Sequence, residues 1–288
     1  MRSDAIAPAL GVDPIKARDV RVLVMTGYGL NCEAETVAGF SMLGARVVER
    51  HVADLLDGGP AALEGFAIVV FIGGFSFGDH IAGGRVFANR LRYRLGDRLA
   101  RFLDDGGLAL GICNGFQTMV KLGLLPGLGR EPGRIADPLA SLVHNDRLGY
   151  RDAWVRLRVD SKSPCVWTRD LGDRTLEFPS RHGEGKLVLR AGPVVEAIRF
   201  GRLIPVRYVD ERGEPTEDWP DNPSGSAGGA AGLCDPTGRL FGLMPHPEAY
   251  LYPEAHPQWL RARDEGRLPA FGVGLELLAG GVRAAIEG

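Results

Sequence analysis

Short apolar runs recur through the first half of the chain, each ending in a glycine-bearing turn. Arg21–Met25, Ala45–Val48, Ile68–Ile72 and Leu108–Ile112 have the continuous hydrophobic character of strands buried on both faces. Helical spacing fills the gaps between them. One helix is predicted from about Asn31, with Asn31 as N-cap and Glu33 and Glu35 in its first turn. A long amphipathic helix is predicted over Arg85–Leu103, and a third after the fourth run, with Phe116, Met119, Val120 and Leu122 apolar. Strands alternating with helices predict an α/β fold with a doubly wound, mostly parallel sheet, in which function collects at the carboxyl ends of the strands.

The texture changes after Pro126. Trp154–Val159 and Lys186–Arg190 alternate, and Leu203–Val209 is another candidate strand, so β-rich additions to the sheet are expected here. Glu211–Gly232, rich in Gly, Pro, Ser and Asp, reads as a long loop. Arg239–Met244 returns to a buried strand that runs into Pro245-His246-Pro247-Glu248, and Leu275–Ile286 reads as a helix packed on the surface. The expected organisation is an N-terminal extension over residues 1–19, one domain over 20–250, and a tail over 251–288 packed on that domain.

Composition narrows the function classes. The 288 residues are 45% hydrophobic and 24% charged with a formal net charge of -2, which is ordinary for a globular protein and gives no electrostatic case for nucleic acid or an acidic membrane. Cys32, Cys113, Cys165 and Cys234 are widely spaced, with no CxxC pair. That argues against a structural zinc site or a disulfide framework and fits a reducing, cytoplasmic setting. Neither a membrane span nor a secretory signal is expected.

The fourth apolar run continues as Gly111-Ile112-Cys113-Asn114-Gly115, a strand passing sharply into a helix through Gly-x-Cys-x-Gly. This is the nucleophile-elbow layout with Cys in place of Ser. It sets a thiol at a helix N-terminus, where free amides and the helix dipole favour the thiolate. The bland reading is a buried strand cysteine, but the two flanking glycines favour the nucleophile. A thiolate needs a base, and the base an orienting partner. His246 follows a strand directly and has Glu248 two positions on, on the same side of an extended segment. His182, in the turn Arg181-His182-Gly183-Glu184-Gly185-Lys186, is either a rival base or part of a loop whose backbone contacts a ligand. His51, His80, His144 and His256 read as surface or packing residues. Gly73-Gly74 offers backbone amides near the elbow, as does Asn114 directly after the nucleophile, and acyl transfer needs two such donors. Gly27-Tyr28-Gly29-Leu30-Asn31-Cys32 only half-matches a dinucleotide fingerprint, since Cys32 stands at the third glycine, and there is no Walker motif.

Gly-Ile-Cys-Asn-Gly-Phe-Gln, Met-Pro-His-Pro-Glu, His-Gly-Glu-Gly and Gly-Gly-Phe-Ser-Phe-Gly-Asp together resemble the class I glutamine amidotransferases of flavodoxin-like fold. Within that class the resemblance is strongest to the glutaminase-subunit family of phosphoribosylformylglycinamidine synthase, of de novo purine biosynthesis. It implies a catalytic triad of Cys113, His246 and Glu248, with oxyanion amides from Gly74 and Asn114. Gln117 and the turn His182, Gly183, Glu184 and Gly185 would line the glutamine pocket. The implied partners are a PurL-like synthetase subunit, which holds the ATP and Mg, and a small PurS-like third subunit. No cofactor or metal is implied on this chain. Ala249-Tyr250 departs from the family, which continues His-Pro-Glu with Arg, and the two terminal segments have no counterpart in its short members. The competing expectations are a stand-alone cysteine hydrolase of similar topology, a glutaminase serving a different synthetase, and a catalytically silent module.

Overall fold

A computed structural model describes residues 5–59 and 61–288. The chain begins with two short helices, α1 (Ile6–Ala9) and α2 (Pro14–Ala17), and enters strand β1 (Arg21–Thr26). It continues through α3 (Glu33–Met42), β2 (Arg46–His51), α4 (Val52–Asp57), β3 (Ile68–Phe71), α5 (Arg85–Asp104), β4 (Leu108–Ile112) and α6 (Asn114–Leu122). Then follow β5 (Ala140–Val143), β6 (Arg151–Val159), β7 (Thr175–His182), β8 (Lys186–Leu189), α7 (Pro193–Phe200) and β9 (Val206–Tyr208). The last elements are β10 (Gly232–Cys234), β11 (Leu240–Leu243), α8 (Trp259–Asp264) and α9 (Gly274–Glu287).

Six strands form the central sheet in the order β10-β11-β4-β3-β1-β2, parallel except where β10 meets β11. β1, β3, β4 and β11 are almost wholly buried, as their continuous apolar runs require when helices cover both faces. β2 closes one edge, and its Glu49, Arg50 and His51 are the polar residues that suit an unpaired rim. The β-rich additions are a ladder of β5 with β8 and a three-stranded antiparallel sheet, β7-β6-β9.

Three details differ from the sequence expectation. Asn31 does not cap α3: its N–H bonds Gly73 O at 3.1 Å, and Cys32 is the capping residue instead. Residues 6–17, expected as an extension ahead of the domain, are packed into it: Ile6, Ala7, Val12 and Ala17 are buried in the main core and α2 packs on α9. α9 is more than a surface helix. It packs on α3, and Gly280 and Gly281 let it close against Trp167, where a Cβ at Gly281 would fall 2.1 Å from the indole. No described helix is long and apolar enough to cross a membrane.

Candidate active site

The carboxyl ends of β1, β3, β4 and β11 lie side by side, and the chain order reverses between β1 and β3. This is the position where an open α/β sheet presents its crevice. β4 delivers Cys113 there. The residue has φ 51° and ψ -106°, outside the regions open to an unstrained side chain, and α6 begins at the next residue. Gly115 makes the bend feasible: a Cβ on it would lie 1.8 Å from Phe71 O, so any side chain would force α6 off β3. The Cys113 amide is held by Leu243 O at 2.9 Å, which ties the elbow to the end of β11.

From β11 the chain passes to His246, whose amide bonds Pro179 O at 2.8 Å. The segment is not fully extended as its prolines suggest, because Pro247–Ala249 forms one tight helical turn. That turn still brings Glu248 Oε1 to 2.5 Å from His246 Nδ1. Nε2 of the same ring has no hydrogen-bond partner, and the His246 and Glu248 side chains are 6% and 1% exposed. Burial alone would push the imidazole down. The Glu248 carboxylate and Cys113 beside it outweigh burial and hold His246 well above its ordinary value. The arrangement favours the protonated imidazole, with the carboxylate fixing the ring from behind.

The oxyanion candidates have free amides. Leu30 and Gly74 face each other in an antiparallel bridge whose bonds run from Asn31 N to Gly73 O and from Phe75 N to Gly29 O. The Gly74 amide is therefore outside that pairing. Asn114 opens α6, so its amide has no acceptor within the helix.

The other expected pocket residues form a polar brace. Asn114 Nδ2 donates to Asp79 Oδ1 at 3.0 Å and to Gln117 Oε1 at 2.8 Å, while its Oδ1 accepts from Ser76 N. Gln117 Nε2 donates to Glu184 O at 2.6 Å, and Glu184 Oε2 accepts from Gly83 N at 2.9 Å. Gln117 and Glu184 thus join α6, the turn after β7 and the loop after β3. His182 is buried and pairs through Nδ1 with Asn145 Oδ1 at 3.1 Å, and Asn145 also takes the Gly185 amide and donates to His182 O. Burial, aided by the positive charge at His246, lowers His182 to about 3, so its ring stays neutral. Gly183 closes the same turn by accepting Asn145 N–H at 3.0 Å. Of the other histidines, His51 caps α4, His256 pairs with Glu177, and His144 Nδ1 lies 3.9 Å from Glu184 Oε1 at the edge of the brace.

Two site residues escaped the sequence reading. Asn145 carries no motif, and only the return of β7 brings it to His182. Cys32 Sγ and His246 Cε1 both border Gly73, each 3.0 Å from where a Cβ on it would stand, and burial raises the Cys32 thiol. Its place in a glycine-rich turn after a buried strand was the available signal.

This chain belongs to the CobB/CobQ-like glutamine amidotransferase domain family, which matches residues 19–276. It is 39% identical over 240 residues to the phosphoribosylformylglycinamidine synthase subunit PurQ of Dehalococcoides mccartyi, covering 83% of this chain and 89% of that one. It is 32% identical over 243 residues to phosphoribosylformylglycinamidine synthase of Homo sapiens, where 81% of this chain aligns with 18% of that protein. Among solved structures it superposes on a chain of PurLQS from Thermotoga maritima with a TM-score of 0.66 at 22% identity, covering 92% of this chain and 98% of that one. That last likeness establishes the fold: a mixed α/β chain with a mostly parallel central sheet.

Proposed function

We propose that the chain is the glutaminase subunit of a phosphoribosylformylglycinamidine synthase, supplying ammonia for purine biosynthesis. One observation carries the chemistry. In a chain of this family, a buried histidine has one nitrogen on a carboxylate and leaves the other unpartnered beside an elbow cysteine. The Cys113 thiolate attacks the side-chain amide carbon of glutamine. The Gly74 and Asn114 amides stabilise the oxyanion, and His246 gives its proton to the departing ammonia. Water, deprotonated by His246, then attacks the γ-glutamyl thioester, and glutamate leaves. Glu248 keeps the ring in register through both proton transfers. The brace from Gln117 to Glu184 shapes the wall on which glutamine lies.

Residues 20–250 carry this chemistry, with the two terminal segments packed against them. Ammonia passes to a separate PurL-type synthetase, which uses ATP and Mg. A small third subunit of the PurS type completes the cytoplasmic assembly, and no cofactor acts on this chain. Phe75, next to Gly74, and Tyr150 stand exposed with rings 6.0 Å apart, a surface on which a partner would reach the oxyanion turn. The test is glutamate release by the chain alone, with synthetase, and with synthetase, ATP and formylglycinamide ribonucleotide. Turnover should rise at each step, since a donor displaced by about an ångström costs roughly a hundredfold and a partner can correct it. Equal rates in all three would make the chain an independent hydrolase.

A further inference from the structure

Cys32 sits beside the triad without belonging to it. Half-buried at the N-terminus of α3, it rides on the turn that the Leu30–Gly74 bridge pins to the end of β3. A Cβ on Gly73 would come to 3.0 Å from Cys32 Sγ, 3.0 Å from His246 Cε1 and 3.6 Å from Cys113 Cβ. The bare glycine is what lets a second thiol reach the imidazole. One donor atom each from Cys32, His246 and Glu248 lie within 4.8 Å of one another. Glu248 Oε2 is buried without a hydrogen-bond partner, and Glu248 Oε1 lies 2.5 Å from His246 Nδ1, the ring nitrogen that shares a side with the carboxylate.

We propose that Cys32, His246 and Glu248 form a binding site for a thiophilic divalent cation of the zinc class, and that its occupation switches off glutamine hydrolysis. A thiolate, an imidazole and a carboxylate are the donor set that suits zinc, and their two negative charges match the dication. Zinc bonds of about 2.0–2.3 Å place tetrahedral donors roughly 3–4 Å apart, so the group has to close by about an ångström. The ion takes the place of the proton between His246 Nδ1 and Glu248, and rotation of the Cys32 side chain and of the Glu248 carboxylate supplies that movement. Binding releases the Cys32 proton and the His246 Nδ1 proton to solvent, and water takes the remaining position. While zinc holds the imidazole, His246 cannot carry protons to ammonia or from water. The site needs no contribution from the nucleophile, which separates it from simple capping of a reactive thiol.

The inhibitory half rests on the glutaminase reading, whereas binding is measured with zinc alone and does not. The metal-free full chain is titrated with zinc against a chromophoric chelator, as wild type, Cys113→Ala, Cys32→Ser and Cys32→Ala, with circular dichroism confirming that each is folded. Wild type and Cys113→Ala should bind one zinc equally tightly, and both Cys32 variants should bind at least about tenfold more weakly. If one Cys32 variant fails to fold, the other decides. Undiminished binding by a folded Cys32 variant overturns the site, and loss of binding in Cys113→Ala moves the ion to the nucleophile. Glutamate release by wild type should fall as zinc is added, with about tenfold more zinc needed for Cys32→Ser relative to its own zinc-free rate. Binding without inhibition would leave the site standing and overturn the switch.

Discussion

Two buried histidines face the same crevice and are held in opposite states. His246 has a carboxylate on Nδ1 and a thiol beside it, and sits well above the ordinary histidine value. His182 has an amide oxygen on Nδ1 and is lowered to about 3. Both rings are almost wholly enclosed. Burial therefore cannot be what distinguishes them. The charge of the orienting partner raises one ring and its absence leaves the other neutral, and the positive charge on the first helps keep the second so.

The sharpest way to break this comparison is at the partners themselves. His246→Ala should remove glutaminase turnover by about 10⁴-fold or more, as Cys113→Ala should, because nucleophile and base act as one unit. Glu248→Gln keeps the shape but presents an amide to Nδ1, and should cost about 10²–10⁴-fold. His182→Asn should cost far less than either. Single-turnover formation of the glutamyl thioester is the measurement. If His182→Asn is as damaging as His246→Ala, His182 is the base and the assignment of roles is reversed.

A gentler intervention supplies the missing charge. Asn145→Asp would place a carboxylate where His182 now meets an amide, while still accepting the Gly185 amide. The donor to His182 O disappears, at a cost of about 1–3 kcal/mol. Histidine side-chain NMR titration should show the His182 ring moving up from about 3 to above the ordinary histidine range. A ring that stays low would mean that burial and the His246 charge decide its state, and that the partner does not.

How far the sequence revealed this site follows the same division between local and long-range causes. Cys113, with Gly111 and Gly115, announces itself because the elbow is local: a strand, two glycines and a helix within a few residues. His246 and Glu248 are also near neighbours, so their pairing could be read although their backbone turns more tightly than expected. β7 could not be read, because Pro179 lies within it and a proline interrupts the strand pattern; here it pairs with Trp154, and its carbonyl holds His246. Asn145 and Cys32 acquire meaning only when separate strand ends are brought together. The burial of the first turns was hidden for a different reason: Ile6–Ala9 and Pro14–Ala17 are too short to show a helical period.

The smallest expected effect lies in how stability depends on pH. His182 is near 3 when folded and near the ordinary 6.5 when unfolded, so between those values the unfolded chain binds a proton that the folded chain refuses. Stability from this group is present above pH 6.5 and falls as pH drops through the window. His246 has the opposite sign: its folded value is raised, so its contribution is complete below 6.5 and is lost only as pH rises through the folded value. From pH 6.5 down to pH 5, then, the slope contributed by this pair of histidines belongs to His182 alone, and amounts to about 2 kcal/mol. Urea midpoints at pH 7 and pH 5 should show His182→Gln less stable than wild type at the higher pH and the gap narrowing by up to that amount at the lower. Other acid-sensitive groups are common to both proteins and cancel in the difference. Parallel loss of stability in the two would mean that the folded ring takes up its proton as readily as the unfolded one, and the contrast with His246 would then be one of position rather than of charge.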